Sequence, residues 1–397
     1  MKLTKLLFIL FCLYAVSATA QTGKSNIEIY GFVMTDMGYN VNTVNPDWYD
    51  ALRASRLPSY DKEFAPNGKV FFSARQSKFG VKSSMPTSLG EFKTKFEFDM
   101  YGVGGDAGQT TIRLRHAYGQ IGHFGAGQTN SAFMDVDVFP NSLEYWGPTG
   151  MLFFRNIQIR YMPLMDKTND LTFALENPGA SGDGGIYSNR IELSTVRAHF
   201  QLPDLTAHYR YSGDWGYVQF GGIVGSLKWE DINDTATYKL GGSATRWGAV
   251  LSTNINLGKK AVLRLMGNYG EGMENYMNDA PVDVALKNQP GNITEPVKGV
   301  ALPITGIVAF LDINWSKEFS SSIGYSANKV TNSDAQGPTA YKMGQYALVN
   351  VLYYPVENVT TGIEFLYARR DNYNGFFSDN PQVRFAFKYN FSKVFTF

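Results

Sequence analysis

A chain of 397 residues carries 36 Lys+Arg and 35 Asp+Glu, a formal net charge of +1, which is too balanced for a surface built to bind nucleic acid. Aromatic residues make up 15%, glycine supplies 40 residues and mean hydropathy is −0.21. Cysteine occurs once, which excludes a disulfide-stapled scaffold, and past the first twenty residues no apolar run is long enough to cross a bilayer as a helix.

Residues 1–20 read MKLTKLLFILFCLYAVSATA. Lys2 and Lys5 precede an apolar core, and Ala18-Thr19-Ala20 forms a small-x-small cleavage site before Gln21. This is the layout of a secretory signal peptide, to be set aside from the fold. Leu10 and Phe11 are too bulky to precede a lipid-modified Cys12, so the lone cysteine leaves with the signal. Without Lys2 and Lys5, 34 Lys+Arg face 35 Asp+Glu, a net of −1 on the exported chain.

From residue 21 to 397 the chain reads as one all-β unit. Segments of about ten residues with period-two alternation recur throughout. The spacing predicts a strand over 27–40, a long loop over 41–69, a strand over 70–83 and a turn at SMPTSLG. In Glu91–Met100, EFKTKFEFDM, Phe92, Thr94, Phe96, Phe98 and Met100 share one face; Glu91, Lys93, Lys95, Glu97 and Asp99 share the other. Gly102-Val-Gly104-Gly-Asp-Ala107 loosely matches a dinucleotide loop, but no helix follows to meet a phosphate, so it reads as a hairpin loop. Strands at 111–120 and 124–130 flank a tight turn at Gly122-His123.

Further strands are predicted at 154–161, 171–176, 205–211, 216–229, 246–257, 261–269, 304–315, 321–329, 346–354, 359–370 and 382–397. Long loops cover 177–203, where residues 190–201 are open to an extra strand, and 271–303. The total of about sixteen strands, joined alternately by short turns and long loops, predicts a transmembrane antiparallel β-barrel with its short turns in the periplasm. No linker or soluble second domain interrupts it.

The final segment, FAFKYNFSKVFTF (385–397), sets Phe385, Phe387, Tyr389 and Phe391 on one face. Against lipid, such rings contribute roughly 25 cal/mol per Å² buried. Pairing this strand with the first would leave no open edge.

Charge on the lipid face costs about 2–4 kcal/mol near the bilayer midplane. Arginines in phase with polar faces therefore belong in the lumen. Arg113 and Arg115 alternate with Ile112 and Leu114, Arg160 with Ile157, Ile159 and Tyr161, and Arg210 with Tyr209 and Tyr211; Arg264 and Arg384 follow the same pattern. Arg155, at a strand end, is out of phase with Arg160. Two readings stay open. The arginines balance the strand acids Glu91, Glu97, Asp99, Glu176 and Glu364, or they form a basic ladder along one wall that guides anions, since arginine offers carboxylates a fork of donors.

Residues 131–152, SAFMDVDVFPNSLEYWGPTGML, mix Asp135, Asp137 and Glu144 with Phe139, Tyr145 and Trp146. That is enough apolar surface to pack somewhere. The expectation is a constriction loop folded into the barrel, with its acids facing the basic wall; the alternative is an ordinary external loop or a subunit contact. The candidate pore-lining set is thus Arg113, Arg115, Arg155, Arg160, Arg210, Asp135, Asp137 and Glu144. His116, His123, His199 and His208 show no metal-ligand spacing. His116 is expected at a membrane interface and His123 in a turn. No cofactor, metal or catalytic residue is proposed, because Ser131 and His116 sit in no nucleophile motif.

Three stretches carry a more specific signal: ARQSKFGVK at 74–82, RHAYGQIGHFGAGQTNSAFMD at 115–135 and FPNSLEYWGPTGM at 139–151. They resemble the DcaP-like outer-membrane porin family of Gram-negative bacteria, and the resemblance spans most of the exported chain. It implies a homotrimer of about sixteen strands per subunit, embedded in the outer-membrane lipid bilayer. It also implies an arginine-rich constriction, passive diffusion of small anionic solutes such as dicarboxylates, and recognition of terminal Phe397 by the barrel-assembly machinery. Family members can carry an N-terminal helical extension; about six residues, Gln21–Asn26, precede the first strand here, so no coiled-coil stalk is expected. The rival functions are an outer-membrane lipid or ester hydrolase and a structural or adhesive surface barrel.

Overall fold

The computed structural model describes residues 23–233 and 237–397. The expected leader, 1–20, lies outside the described residues. Sixteen antiparallel strands close a barrel. In chain order they are β1 (Asn26–Asn40), β2 in two segments (Lys69–Ser73 and Lys78–Thr87), β3 (Gly90–Tyr101), β4 (Thr110–Ile121), β5 (Phe124–Asn130), β6 (Arg155–Met165), β7 (Asn169–Glu176) and β8 (Asp204–Gly213). The second half comprises β9 (Gly216–Asp231), β10 (Gly242–Leu257), β11 (Ala261–Glu271), β12 (Pro303–Asn314), β13 (Phe319–Val330), β14 (Tyr341–Tyr353), β15 (Val359–Asn372) and β16 (Phe377–Thr396).

Each strand pairs with the next, and β1 pairs with β16 from Asn26↔Thr396 to Asn40↔Gln382. Beyond that ladder, Ser25 and Phe397 exchange backbone hydrogen bonds of 3.1 and 2.9 Å. The ring of strand pairings thus closes without an open edge, the condition for crossing hydrocarbon with strands.

Alternation sorts the side chains as the sequence pattern requires. On β16, Phe385, Phe387 and Tyr389 are 45%, 50% and 48% exposed, while Arg384 and Ala386, on the opposite face, are fully buried. On β3, Phe96 points out and Glu97 and Asp99 point in.

Several local expectations change. SMPTSLG is mostly strand: β2 runs to Thr87 and β3 resumes at Gly90. β2 is broken at residues 74–77, where Arg75 leaves the ladder to pair with Asp50 and Gln76 donates to Asp36 (2.7 Å) and the Leu143 carbonyl (3.0 Å). Residues 196–198 form a short strand on β9, and the 271–303 loop contains a hairpin of Val284–Asn288 with Val297–Ala301. The Gly102–Ala107 stretch is a hairpin loop with a 3-10 turn at Gly104–Asp106.

The termini and the short turns share one end; the long loops gather at the other. Three of those loops enter the barrel: L1 (41–68), L3 (131–154) and L6 (272–302). Leu52 and Leu57 of L1, Phe133, Val138 and Leu152 of L3, and Met273 and Tyr276 of L6 build one apolar core. It packs on inward residues of β9–β14 such as Ile223, Val250, Met266, Phe310 and Tyr346. One half of the lumen is therefore filled like a protein interior. L4 (177–203) arches above it: Gly182–Asp183 pairs with Val284–Ala285, and Ile186 N–H donates to the Ala335 carbonyl at 2.9 Å.

Candidate pore constriction

L3 leaves β5 at Ser131, whose N–H donates to the Phe154 carbonyl and closes the base of the loop. The Glu176 carboxylate of β7 holds that base by accepting from Ser131 Oγ (2.8 Å) and Ala132 N–H (2.9 Å). The loop then crosses the lumen. Asp135 accepts from Tyr217 Oη (2.7 Å) and Ser252 Oγ (2.6 Å) and pairs with Arg210. Asp137 pairs with the same guanidinium. On the far side, Glu364 of β15 accepts the backbone N–H groups of Leu143 and Glu144, both at 2.9 Å. The return path is held by Ser326 Oγ on Gly150 N–H and by Asn268 and Asn328 amides on the Gly150 and Thr149 carbonyls.

What remains open is a cavity of about 830 Å³ between L3 and the wall formed by β2–β6. Arg113, Arg115, Arg155, Lys78 and Lys95 line it on the strand side. Arg113 brackets Asp99 through Nε (3.1 Å) and Nη2 (2.7 Å). Arg115 reaches Glu97 (2.7 Å), Asp99 (2.8 Å) and Tyr145 Oη (2.9 Å). Lys78 and Lys95 stand 3.5 and 3.8 Å from Glu97. Arg155 is different: its guanidinium lies 4.8 Å from the Phe153 ring, and it has no carboxylate partner among the described residues. The opposing face is largely apolar, with Phe139, Tyr145, Trp146, Phe153 and Phe154 of L3. Arg53 of L1 sits between the Trp48 and Trp146 rings, 4.2 and 4.0 Å from their centres, and binds Asp279 at 3.0 Å.

A bulge shapes the strand side. Glu97 pairs with His116 and Phe98 with Leu114, so Arg115 is an extra residue in β4. Bulges re-aim side chains, and here two consecutive residues turn inward. His116 is accordingly buried inside, 2.9 Å from Thr129 Oγ1 and 3.8 Å from Glu97, rather than at a membrane interface. His123 lies in the β4–β5 turn, with Nδ1 2.6 Å from the Met162 carbonyl oxygen.

The eight candidate residues thus divide. Arg113, Arg115 and Arg155 meet at the cavity, together with Glu144. Arg160 does not line it; its guanidinium donates to Gln158 and the Asn130 carbonyl and has no acid partner among the described residues. Arg210 stands on β8 and is engaged with Asp135 and Asp137, and Arg264 binds Asp312, so neither belongs to a ladder with Arg113. Asp135 and Asp137 therefore fasten the loop instead of opposing the basic wall. Glu144 is buried; it accepts the N–H groups of Leu52 (3.1 Å) and Gly147, and burial pushes its carboxyl above the usual range. The acids that meet Arg113 and Arg115 are Asp99 and Glu97 on the neighbouring strand. Ser131 Oγ and His116 each have other partners, on Glu176 and Thr129. Lys78, Lys95, Arg53 and the loop anchor Glu364 complete the site. Lys95 was readable from the polar face of EFKTKFEFDM, whereas Arg53 carries no signal outside its fold.

The model of the DcaP outer membrane protein family matches residues 15–391. The chain belongs to the DcaP outer membrane protein family. No curated protein matches it in sequence. Among solved structures, the outer membrane channel DcaP of Acinetobacter baumannii superposes with a TM-score of 0.78 at 19% identity, covering 95% of this chain and 100% of that one. An anion-selective porin from Comamonas acidovorans gives 0.59 at 9% identity (92% and 100%), and OmpT of Vibrio cholerae 0.54 at 12% (95% and 100%). At such identities the structural likeness speaks for the fold. Family and fold together make this DcaP-family chain an outer-membrane porin, resident in the outer membrane.

Proposed function

We propose that this porin passes small hydrophilic solutes by passive diffusion and favours anions, dicarboxylates among them. The observation that carries the reading is the surplus of positive charge at the narrow cavity. Arg113 and Arg115 are matched by Asp99 and Glu97, but Arg155 is unmatched, and Lys78 and Lys95 share Glu97 with Arg115. A fixed cationic wall facing low-dielectric loop surface lowers the barrier for an anion and raises it for a cation. An arginine free of carboxylates has a whole donor fork to offer a solute carboxylate.

The functional unit we infer is a homotrimer inserted by the barrel-assembly machinery through the terminal aromatic strand. A trimer form is described for OmpT of Vibrio cholerae. The exported chain is taken to begin at Gln21. The test is reversal potential across planar bilayers in a salt gradient, repeated with mono- and dicarboxylates added to one side. Anion-selective steps, with current reduced by dicarboxylates at lower concentration than by monocarboxylates, support the reading. Cation selectivity, or a silent barrel that cleaves esters, overturns it.

A further inference from the structure

Apart from its basic wall, the cavity is bordered by an acid with no visible purpose. Glu274 opens the 3-10 turn Glu274–Tyr276 of L6, is 1% exposed, and lines the same cavity as Arg113, Arg115 and Arg155. No side chain donates to either of its carboxyl oxygens among the described residues, and only the backbone N–H groups of its own turn, Met273 and Glu274, come near them, without good hydrogen-bond geometry. Buried polar groups are nearly always satisfied, so a carboxyl served this poorly calls for an explanation.

The surroundings do not neutralise it. The charged and titratable groups packed around this turn are Asp283 and Tyr276 from L6, Arg246 from β10, Asp204 from β8 and Glu176 from β7. The adjoining stretches of L3 (151–154) and L4 (179–182) contain no titratable residue. Arg246 is already committed: it donates to the Gly272 and Gly179 carbonyls, both at 2.6 Å, and pairs with Asp204 and Asp283. Asp283 in turn accepts from Asn275 N–H (2.9 Å) and Ser181 N–H (2.8 Å). One guanidinium therefore faces more carboxyls than it can match. The backbone N–H groups of Met273 and Glu274 and the charge of the shared Arg246 favour the carboxylate less than burial disfavours it, and a buried acid without a counter-ion of its own keeps its proton. Burial, reinforced by Asp283, holds the Glu274 carboxyl well above the usual carboxylate range.

We propose that Glu274 is a specificity-determining residue of the channel: neutral while buried, it leaves the basic wall unopposed, and once ionised it turns into the hydrated cavity and cancels part of that wall's charge. The proposal rests on the anion-preferring reading. Its chemistry is one proton lost to solvent and one side-chain rotation from an apolar site to a wet one. A carboxylate so displaced enters the cavity that Arg155 lines, a cation with no acid partner among the described residues.

The test is the anion-to-cation permeability ratio from about pH 5 to about pH 9 in wild type, Glu274→Gln and Glu274→Asp. Glutamine keeps the shape and fixes the neutral state, while aspartate keeps an ionisable group. The expected result is a several-fold fall in anion preference with rising pH in wild type and Glu274→Asp. In Glu274→Gln the ratio stays near the acid-limb value. An equal fall in all three proteins, or no fall in wild type, overturns the role of Glu274. Absence of anion preference in every protein at acid pH overturns the basic-wall reading instead, so the two failures are distinguishable.

Discussion

Arg113 brackets Asp99 with two donors, Nε at 3.1 Å and Nη2 at 2.7 Å, so the charge of this pore arginine is already answered by a carboxylate. Removing the arginine therefore does more than delete a positive charge: it leaves Asp99 to Arg115 alone, a guanidinium already shared with Glu97. Arg113→Gln is expected to move the reversal potential further toward cations than Arg155→Gln, which deletes a cation without exposing an acid. Neutralising Arg113 and Arg115 together leaves Asp99 without a cation among the described residues and Glu97 with only Lys78 and Lys95, and gives the largest shift. Arg113→Gln combined with Asp99→Asn returns close to wild type. Equal shifts for the Arg113 and Arg155 variants would show that Asp99 does not matter to the permeating ion.

The tip of L3 hangs on Glu364, which accepts the Leu143 and Glu144 amides. Glu364→Ala leaves two buried N–H groups without acceptors, at a cost on the order of 1–3 kcal/mol each. The expected outcome is a barrel that still forms, with larger and noisier conductance and faster labelling of a cysteine placed at Ser142. Unchanged conductance would mean that L3 holds its position without this anchor.

Two buried loop acids respond oppositely to pH. For Asp50 of L1, burial alone would push the carboxyl up, but the hydrogen bond and charge of Arg75 outweigh it and hold the group below its usual range. Its stabilisation is present above the ordinary aspartate value, near about pH 4, and is lost only as pH falls through the depressed value. Glu144 is raised by burial, so its contribution is fully present below the ordinary glutamate value and is lost as pH rises through the raised one. Hydrogen exchange corrected for intrinsic rates should therefore show the tip of L3, and the Leu52 amide it holds, better protected at about pH 4 than at about pH 8, with the Asp50–Arg75 contact of L1 unchanged between them. Loss of L1 protection at the acid end would contradict the Arg75–Asp50 assignment.

Phe387 faces outward and is 50% exposed, whereas its neighbour Ala386 is fully buried. Phe387→Arg should destabilise the barrel by about 2–4 kcal/mol in lipid, as expected for an arginine near the midplane. Spin labels at Phe96 and Phe387 should report acyl-chain contact. Labels that sense bulk water would place these rings outside the bilayer.

The barrel itself was legible in the sequence because alternation is local: a strand declares its two faces within ten residues. The constriction was legible only in part. That residues 131–152 carried too much apolar surface for a free loop could be read from composition, but the partners of Asp135 and Asp137 could not. Arg210 lies some seventy-five positions away, and nothing local marks it as an anchor for L3 rather than a rung of the Arg113 wall. The Arg115 bulge hides the phase of its own strand, because one inserted residue inverts the faces on either side, which is why His116 is found indoors. Glu274 is invisible for the same reason as Arg53: its meaning depends on three loops that meet only inside the closed ring.

The β1–β16 pairing joins the first strand to be made to the last. Until β16 arrives, β1 and β15 both present unpaired backbone, and neither rim can rest in hydrocarbon. The seam therefore acts as a check on length: a product cut short of its final strand has no partial version of this pore to settle into.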